Sequence, residues 1–369
     1  MGTNVVVQDQ TSGVTITFDN VIVAGDTTVT ISNTGPPPPT GFRLGRQRIY
    51  YDIQTTATIA QGSIITVCIR YDPAQYGGPL QRLRIFHLQG SPLRFVDVTT
   101  SHDIVGHIIC GRVTSLSPFI VAIENTVPTI NSFAAQPAVL EVGGSVDFAA
   151  TFTDPDGDDT HTATFAFGDG QTGAGLISSG TVTISHSYTK AGVYTVTLTV
   201  SDDVGGVVTT SLFIAIYDPE GGFVTGGGWI NSPAGAFRAD GTLTGKATFG
   251  FVSKYQKGAN VPTGQTEFQF KVANLNFHSD SYEWLVVAGA KAQYKGTGTI
   301  NGAGTYRFML TAIDGDLLAG GKEPDKFRIK IWGGDDADNG LVYDNQVGGS
   351  DTADPTTSIG GGSIVIHAK

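Results

Sequence analysis

Asp154-Pro-Asp-Gly-Asp-Asp159, Phe167-Gly-Asp-Gly-Gln171, His186-Ser-Tyr188 and Gly192-Val-Tyr-Thr-Val-Thr-Leu-Thr-Val-Ser201 follow one another within residues 151–204. In the last piece Tyr194, Val196, Leu198 and Val200 alternate with Val193, Thr195, Thr197 and Thr199. One face is apolar and the other mostly threonine, as a half-buried strand requires. Gly168 and Gly170 flank Asp169 in a tight turn, where glycine tolerates a positive φ and Asp169 caps the turn. Strands joined by such turns read as an all-β fold.

The rest of the chain has the same character. Glycine is frequent, charged residues are few, and no stretch has helical periodicity with caps. At 369 residues the chain suits two or three domains. No apolar run is long enough to span a bilayer, so no membrane-spanning segment is expected. Met1-Gly-Thr-Asn lacks the regions of a signal peptide, which suggests a mature piece or a fragment of something longer. Lys+Arg stand against Asp+Glu as 8 to 8 in residues 1–127, 1 to 11 in 128–220 and 13 to 14 in 221–369. The middle segment therefore carries almost all of the net charge of −11, with Lys190 its only cation. Phosphates need cations, so nucleic acid is not an expected partner.

The four pieces come in the order and spacing of a PKD domain, which residues 128–217 resemble. That resemblance implies an immunoglobulin-like β-sandwich of a bacterial cell-surface or secreted protein. The chain departs from the family at Phe165-Ala-Phe167, where Trp-Asp-Phe is usual, so no binding role is carried over for the missing carboxylate. Residues 1–124 contain Val67-Cys-Ile-Arg-Tyr-Asp72, Leu83-Arg-Ile-Phe-His87, Phe95-Val-Asp-Val-Thr99 and Ile109-Cys-Gly-Arg-Val113. They are similar to a ZU5-like β-sandwich of bacterial surface proteins. Some relatives cut themselves at His-Phe-Ser, but here Phe86-His87-Leu88 has no adjacent serine, so self-cleavage is not expected. Residues 222–369 contain Gly222-Phe-Val-Thr-Gly-Gly-Gly-Trp-Ile-Asn231, Tyr282-Glu-Trp-Leu-Val286, Phe327-Arg-Ile-Lys-Ile-Trp332 and Gly361-Gly-Ser-Ile-Val-Ile-His367. They resemble the bacterial post-choice-of-anchor (post-COAP) domain, and read as another sandwich or a small barrel. The expected fold class is thus all-β, with three consecutive β-sandwich-type domains.

Within residues 1–124, Tyr50–Ala60 reads as one strand, and Gly35-Pro-Pro-Pro-Pro-Thr-Gly41 as a stiff crossover loop, since proline has no N–H for a sheet. Two cysteines, Cys68 and Cys110, suggest one disulfide in a chain of surface type; a pair of buried free thiols is the alternative.

No nucleophile–base–orienter set, metallo-hydrolase pattern or phosphate loop is present, so no enzymatic activity is expected. The seven histidines are scattered, and His186 reads as structural. Asp154, Asp156 and Asp158 alternate within one turn, with Asp159 beside them and Gly157 permitting the bend. Closely spaced carboxylates and loop carbonyls suit calcium, which takes six to eight oxygens. The expected cofactor is calcium at Asp154, Asp156, Asp158 and Asp159, with Asp202 as a further ligand; a solvated, self-capping turn is the alternative. Asp314/Asp316 and Asp335/Asp336/Asp338 are weaker versions of the same pattern. Trp229, Trp284, Trp332, Tyr255, Tyr282 and Tyr343 either pack a core or, as an exposed coplanar pair, mark a sugar-binding face.

The expected function is a non-enzymatic extracellular or cell-surface segment, which spaces and presents and has a cell-surface glycan or protein as its partner. The alternatives are the accessory binding domains of a secreted hydrolase whose catalytic domain lies elsewhere, and a self-associating fibre or surface-array subunit.

Overall fold

The structure, a computed structural model, describes residues 2–334 and 340–368. Among these, the chain is almost entirely β-strand, with four short 3-10 turns. It is all-β, as its alternation requires, and its strands form two sandwiches followed by one large curled sheet.

The first sandwich spans Gly2–Asp9 to Phe119–Glu124. One sheet runs Gly2–Asp9, Val14–Val23, Ile65–Arg70, Ile108–Val113, Thr99–Asp103; the other runs Thr27–Ser32, Tyr50–Thr55, Phe119–Glu124, Leu83–Gln89, Arg94–Asp97. Val14, Ile16, Val67 and Ile69 of one sheet meet Ile53, Ile85, Phe119 and Val121 of the other in the core. Cys68 and Cys110 face each other on adjacent strands and are disulfide-bonded, with Cα atoms 4.0 Å apart. In the chain-entropy picture, closing a loop of this length contributes about 3–4 kcal/mol.

Tyr50–Ala60 is two strands rather than the one expected. Tyr50–Thr55 pairs with Thr27–Ser32, whereas Thr58–Ile59 pairs with Val14–Val23 in the other sheet. The chain crosses between sheets at Thr56 and Ala57, where Gly25 packs so closely that a Cβ on it would lie 2.3 Å from the Ala57 nitrogen. The proline-rich segment is a loop, and it caps the outer face of the second sheet. The Tyr50 hydroxyl donates to the Pro36 carbonyl at 2.8 Å. A short strand, Phe42–Leu44, leaves this loop and pairs with the end of Phe119–Glu124, placing Arg43 opposite Ile123.

The second sandwich sets Thr129–Gln136, Ser145–Thr153, Thr181–Ser187, Leu176–Ser178 against Val139–Glu141, Val207–Tyr217, Gly192–Asp202, His161–Ala166, Thr172–Ala174. Val196, Leu198 and Val200 are fully buried against Phe148, Phe165 and Val182, as the alternation predicts. Gly168 and Gly170 have φ of 83° and 90°, and Asp169 caps the turn by accepting from the Gln171 N–H at 2.9 Å. His186 is structural: Asp169 holds its Nε2 at 2.8 Å and its ring stacks on Phe167.

The third unit is a single nine-stranded antiparallel sheet, in the order Leu341–Asp344, Lys326–Gly333, Ala303–Ile313, Lys291–Ile300, Leu275–Ala288, Pro262–Phe270, Gly245–Tyr255, Gly222–Ser232, Gly361–Ala368. It curls around one core that includes Phe249, Phe268, Phe277, Phe308, Phe327 and Tyr343, so it takes the barrel-like alternative. Two carboxylates bridge its seam. The N–H groups of Ile364 and Ile366, on the strand at one edge, donate to Asp325 and Asp314 at 2.7 and 2.9 Å.

Candidate functional site

The Asp154–Asp159 turn lies where the first sandwich meets the second. Gly77 and Gly78, from the loop before Leu83–Gln89, press directly on it. The Gly157 N–H donates to the Gly77 carbonyl at 3.1 Å. A Cβ on Gly77 would sit 2.5 Å from Asp158 Oδ2, and one on Gly78 only 2.2 Å from Asp156 Oδ1. Glycine is needed here for backbone approach rather than for unusual dihedrals.

Arginines of the first sandwich complete the contact. Arg46 grips Asp158 through Nε at 3.0 Å and Nη2 at 2.7 Å. These hydrogen bonds hold the Asp158 carboxyl below its ordinary pKa. Arg43 reaches Asp159 through Nη1 alone, at 2.7 Å; the Asp159 side chain is fully buried and that of Arg43 is 15% exposed. Burial outweighs the Arg43 charge and pushes the Asp159 carboxyl up to about 6. The linker is tied in as well. The Thr126 N–H donates to Asp156 Oδ2 at 2.5 Å, and Asn125 Nδ2 to Asp202 Oδ2 at 2.8 Å.

Of the residues expected to hold calcium, the fold brings Asp154, Asp159 and Asp202 together. One carboxylate oxygen from each lies within 4.8 Å of the others. Asp202 comes from the end of Gly192–Asp202 and is placed by three N–H groups, of Val204, Gly205 and Gly206, on its Oδ1. Burial raises its pKa, but Asn125 and these N–H groups together bring it below the ordinary value. Asp154 accepts from the Asp156 N–H at 2.8 Å and faces His161 Nε2 at 3.0 Å. Asp156 and Asp158 point into the contact with the first sandwich instead. Among the described residues, Oδ2 of Asp159 is buried with no hydrogen-bond partner, and Oδ1 has only the Arg43 ion pair; Oδ1 of Asn125, whose amide holds Asp202, is buried and unbonded too. Oxygen acceptors left without donors are the surroundings a hard divalent cation needs.

Arg43 and Asp158 also line an open cleft of about 960 Å³ beneath the proline loop, so the joint is reachable from solvent. Sequence reasoning missed Arg43, Arg46, Asn125, Thr126 and the Gly77–Gly78 contact. Only the nearby turn gave a local signal.

Among the described residues, Asp314 and the aromatics of the third unit serve capping and packing. Asp314 is buried, with its two oxygens accepting from the N–H groups of Asp316 and Ile366. Asp335, Asp336 and Asp338 lie outside the described residues. None of the six aromatics is exposed. Trp284, Trp332, Tyr282 and Tyr343 are buried, Tyr255 stacks on Tyr217, and half-buried Trp229 lies under Lys246 Nζ at 4.7 Å. Ser117 Oγ lies 2.6 Å from His87 Nε2, a nucleophile–base distance. However, Ser117 Oγ donates to the Leu88 carbonyl, and His87 is fully buried and stacked on Phe119. Burial lowers the His87 pKa, so this pair is a core hydrogen bond between neutral groups. No helix among the described residues is long and apolar enough to cross a membrane.

Comparison with known proteins places part of this architecture. The PKD domain pattern matches residues 125–215. The PKD1 domain of Vibrio anguillarum Epp is 34% identical over 26% of this chain and 100% of that domain, with a TM-score of 0.21. A structure of carbohydrate-binding modules from the β-sandwich superfamily is 20% identical, covers 66% of this chain and 93% of that one, and has a TM-score of 0.24, a likeness too low to carry a ligand across. No curated protein matches the chain. Through its second sandwich, where residues 125–215 match, this chain belongs to the PKD-domain family.

Proposed function

We propose that the chain is a non-enzymatic extracellular or cell-surface segment that spaces and presents the parts joined to it. In this reading a ZU5-like sandwich precedes the PKD domain and a post-COAP-like unit follows it, and calcium supports the PKD domain at the joint. The carboxylate ring of Asp154, Asp159 and Asp202 carries the reading, with the buried Asp159 Oδ2 that has no hydrogen-bond partner. It lies at a contact between two sandwiches rather than facing a substrate cleft with a nucleophile beside it. The burial of Trp284 and Trp332 further supports spacing over sugar recognition, because these rings are spent on packing. Glycan or protein partners would then be held by other surfaces, or by neighbouring parts of a longer protein.

A cation bound to the native ring alone stabilises by linkage, by about 2.7 kcal/mol at a hundredfold excess over Kd. Thermal unfolding of the full chain in calcium and in chelator tests this. The midpoint of the PKD transition is expected to rise by several degrees with calcium in the wild type, and to stay put in Asp154→Asn. An unmoved wild-type midpoint overturns the calcium reading and leaves the turn as a capped, hydrogen-bonded contact.

A further inference from the structure

Arg43 and Arg46 both reach from the first sandwich to the Asp154–Asp159 turn, but they are held differently. Arg46 forms a two-pronged pair with Asp158, away from the ring. Arg43 has one contact, from Nη1 to Asp159; its Nε and Nη2 are buried with no acceptor among the described residues. Its backbone is fixed, since Phe42–Leu44 pairs with the end of Phe119–Glu124, and the Asn125 N–H donates to the Gly41 carbonyl at 2.8 Å. So Arg43 is a positive charge delivered to the ring on a short, anchored tether.

We infer that Arg43 of the first sandwich competes with a divalent cation for Asp159, so that the first sandwich sets the ion affinity of the PKD ring. The inference rests on the calcium reading above. Asp159 is the shared element: its carboxylate pairs with Arg43 and also belongs to the three-carboxylate ring. A calcium ion sits about 2.4 Å from its ligand oxygens. An ion bound to Asp159 would therefore lie close to the guanidinium, and like charges at such range in a buried site repel strongly. One of the two must yield. Arg43 is the weaker holder, since a single ion-pair contact through one nitrogen gives up less than a bidentate hydrogen-bonded pair. Ion binding thus exchanges an ionic contact between the sandwiches for a metal contact within the PKD domain.

Calorimetric titration of calcium into the full chain tests this with wild type, Arg43→Gln and Arg46→Gln. Arg43→Gln is expected to bind calcium about tenfold tighter or more, and Arg46→Gln to stay within about twofold of wild type, because its charge is spent on Asp158. Equal or weaker binding by Arg43→Gln overturns the competition while leaving the calcium site standing. An equal gain in both variants also overturns it, since general charge would then explain the effect. Calcium bound by none of the three overturns both readings. If Arg43→Gln fails to fold, NMR of the arginine side chains in the wild type decides. A calcium-dependent shift of the Arg43 Nε–H signal, with faster solvent exchange, supports the exchange; an unchanged signal overturns it.

Discussion

Two joints link the three β-units, and their linkers have the same length. Residues 125–128 separate Phe119–Glu124 from Thr129–Gln136, and residues 218–221 separate Val207–Tyr217 from Gly222–Ser232. The contacts beside them differ in kind. At the second joint Ala215 and Tyr217 of the PKD domain bury Trp284, Val286, Met309 and Trp332 of the third unit, with Val193, Phe213 and Tyr255 packed around them. At the first joint the contacts include Arg46 to Asp158, Arg43 to Asp159, the Gly157 N–H on the Gly77 carbonyl, and the Asp158 and Asp156 side chains against Gly77 and Gly78. Linker length therefore does not set the coupling between domains; what is buried beside the linker does. An apolar joint gains from every area it removes from water, whatever the salt or ion present. An ionic joint has partners that water, salt or a metal can replace, and so can respond to its surroundings.

The largest test of the contrast is Trp332→Ala. Trp332 is 4% exposed, and truncating a buried tryptophan costs about 3–5 kcal/mol. The PKD domain and third unit are expected to unfold together in the wild type and in two separate steps in this variant, as calorimetry would show. One unchanged transition would mean that the apolar cluster does not couple them.

Gly78→Ala attacks the other joint. The new Cβ would meet Asp156 Oδ1 at 2.2 Å and Ile123 Cδ1 at 3.0 Å. Crowding of this kind costs about 1–3 kcal/mol. The first sandwich should lose its contact with the PKD domain, seen as wider interdomain motion in solution scattering, while the emission of Trp284 and Trp332 at the second joint stays as in wild type.

Arg46→Ala is the smallest change. The Arg46 side chain is 61% exposed, so water and salt screen its ion pair and the loss of stability should be slight. The difference from wild type should vanish near 1 M salt, where charges are screened within about 3 Å. A salt-independent loss would point to packing by the arginine stem instead.

Much of the fold was legible in the chain. Period-two alternation in 193–200 marked a strand whose Val196, Leu198 and Val200 are buried, and Gly168-Asp-Gly170 marked a turn. Tyr50–Ala60 was misread because alternation records which residues are apolar and not which sheet they join. Its two halves bury side chains in the same core from opposite sheets. The site was legible only in part. Asp154 and Asp159 stand out as a local acidic turn, and Asp202 follows 43 residues later as one more acid at a strand end. Arg43 lies more than a hundred positions from Asp159, and no local pattern joins them.

By itself the sequence determined the all-β class, the alternating strand and glycine turn of the second sandwich, its PKD character and its excess of negative charge, because spacing, glycine placement and charge are properties of neighbours along the chain. Only the tertiary structure decided that Asp156 and Asp158 face the first sandwich while Asp154, Asp159 and Asp202 form the ring, and that Trp284 and Trp332 seal a joint instead of lining a surface. The reason is geometric. A carboxylate or an indole has the same composition wherever it points, and its role is set by the group from a distant segment that folding brings within a few ångströms of it.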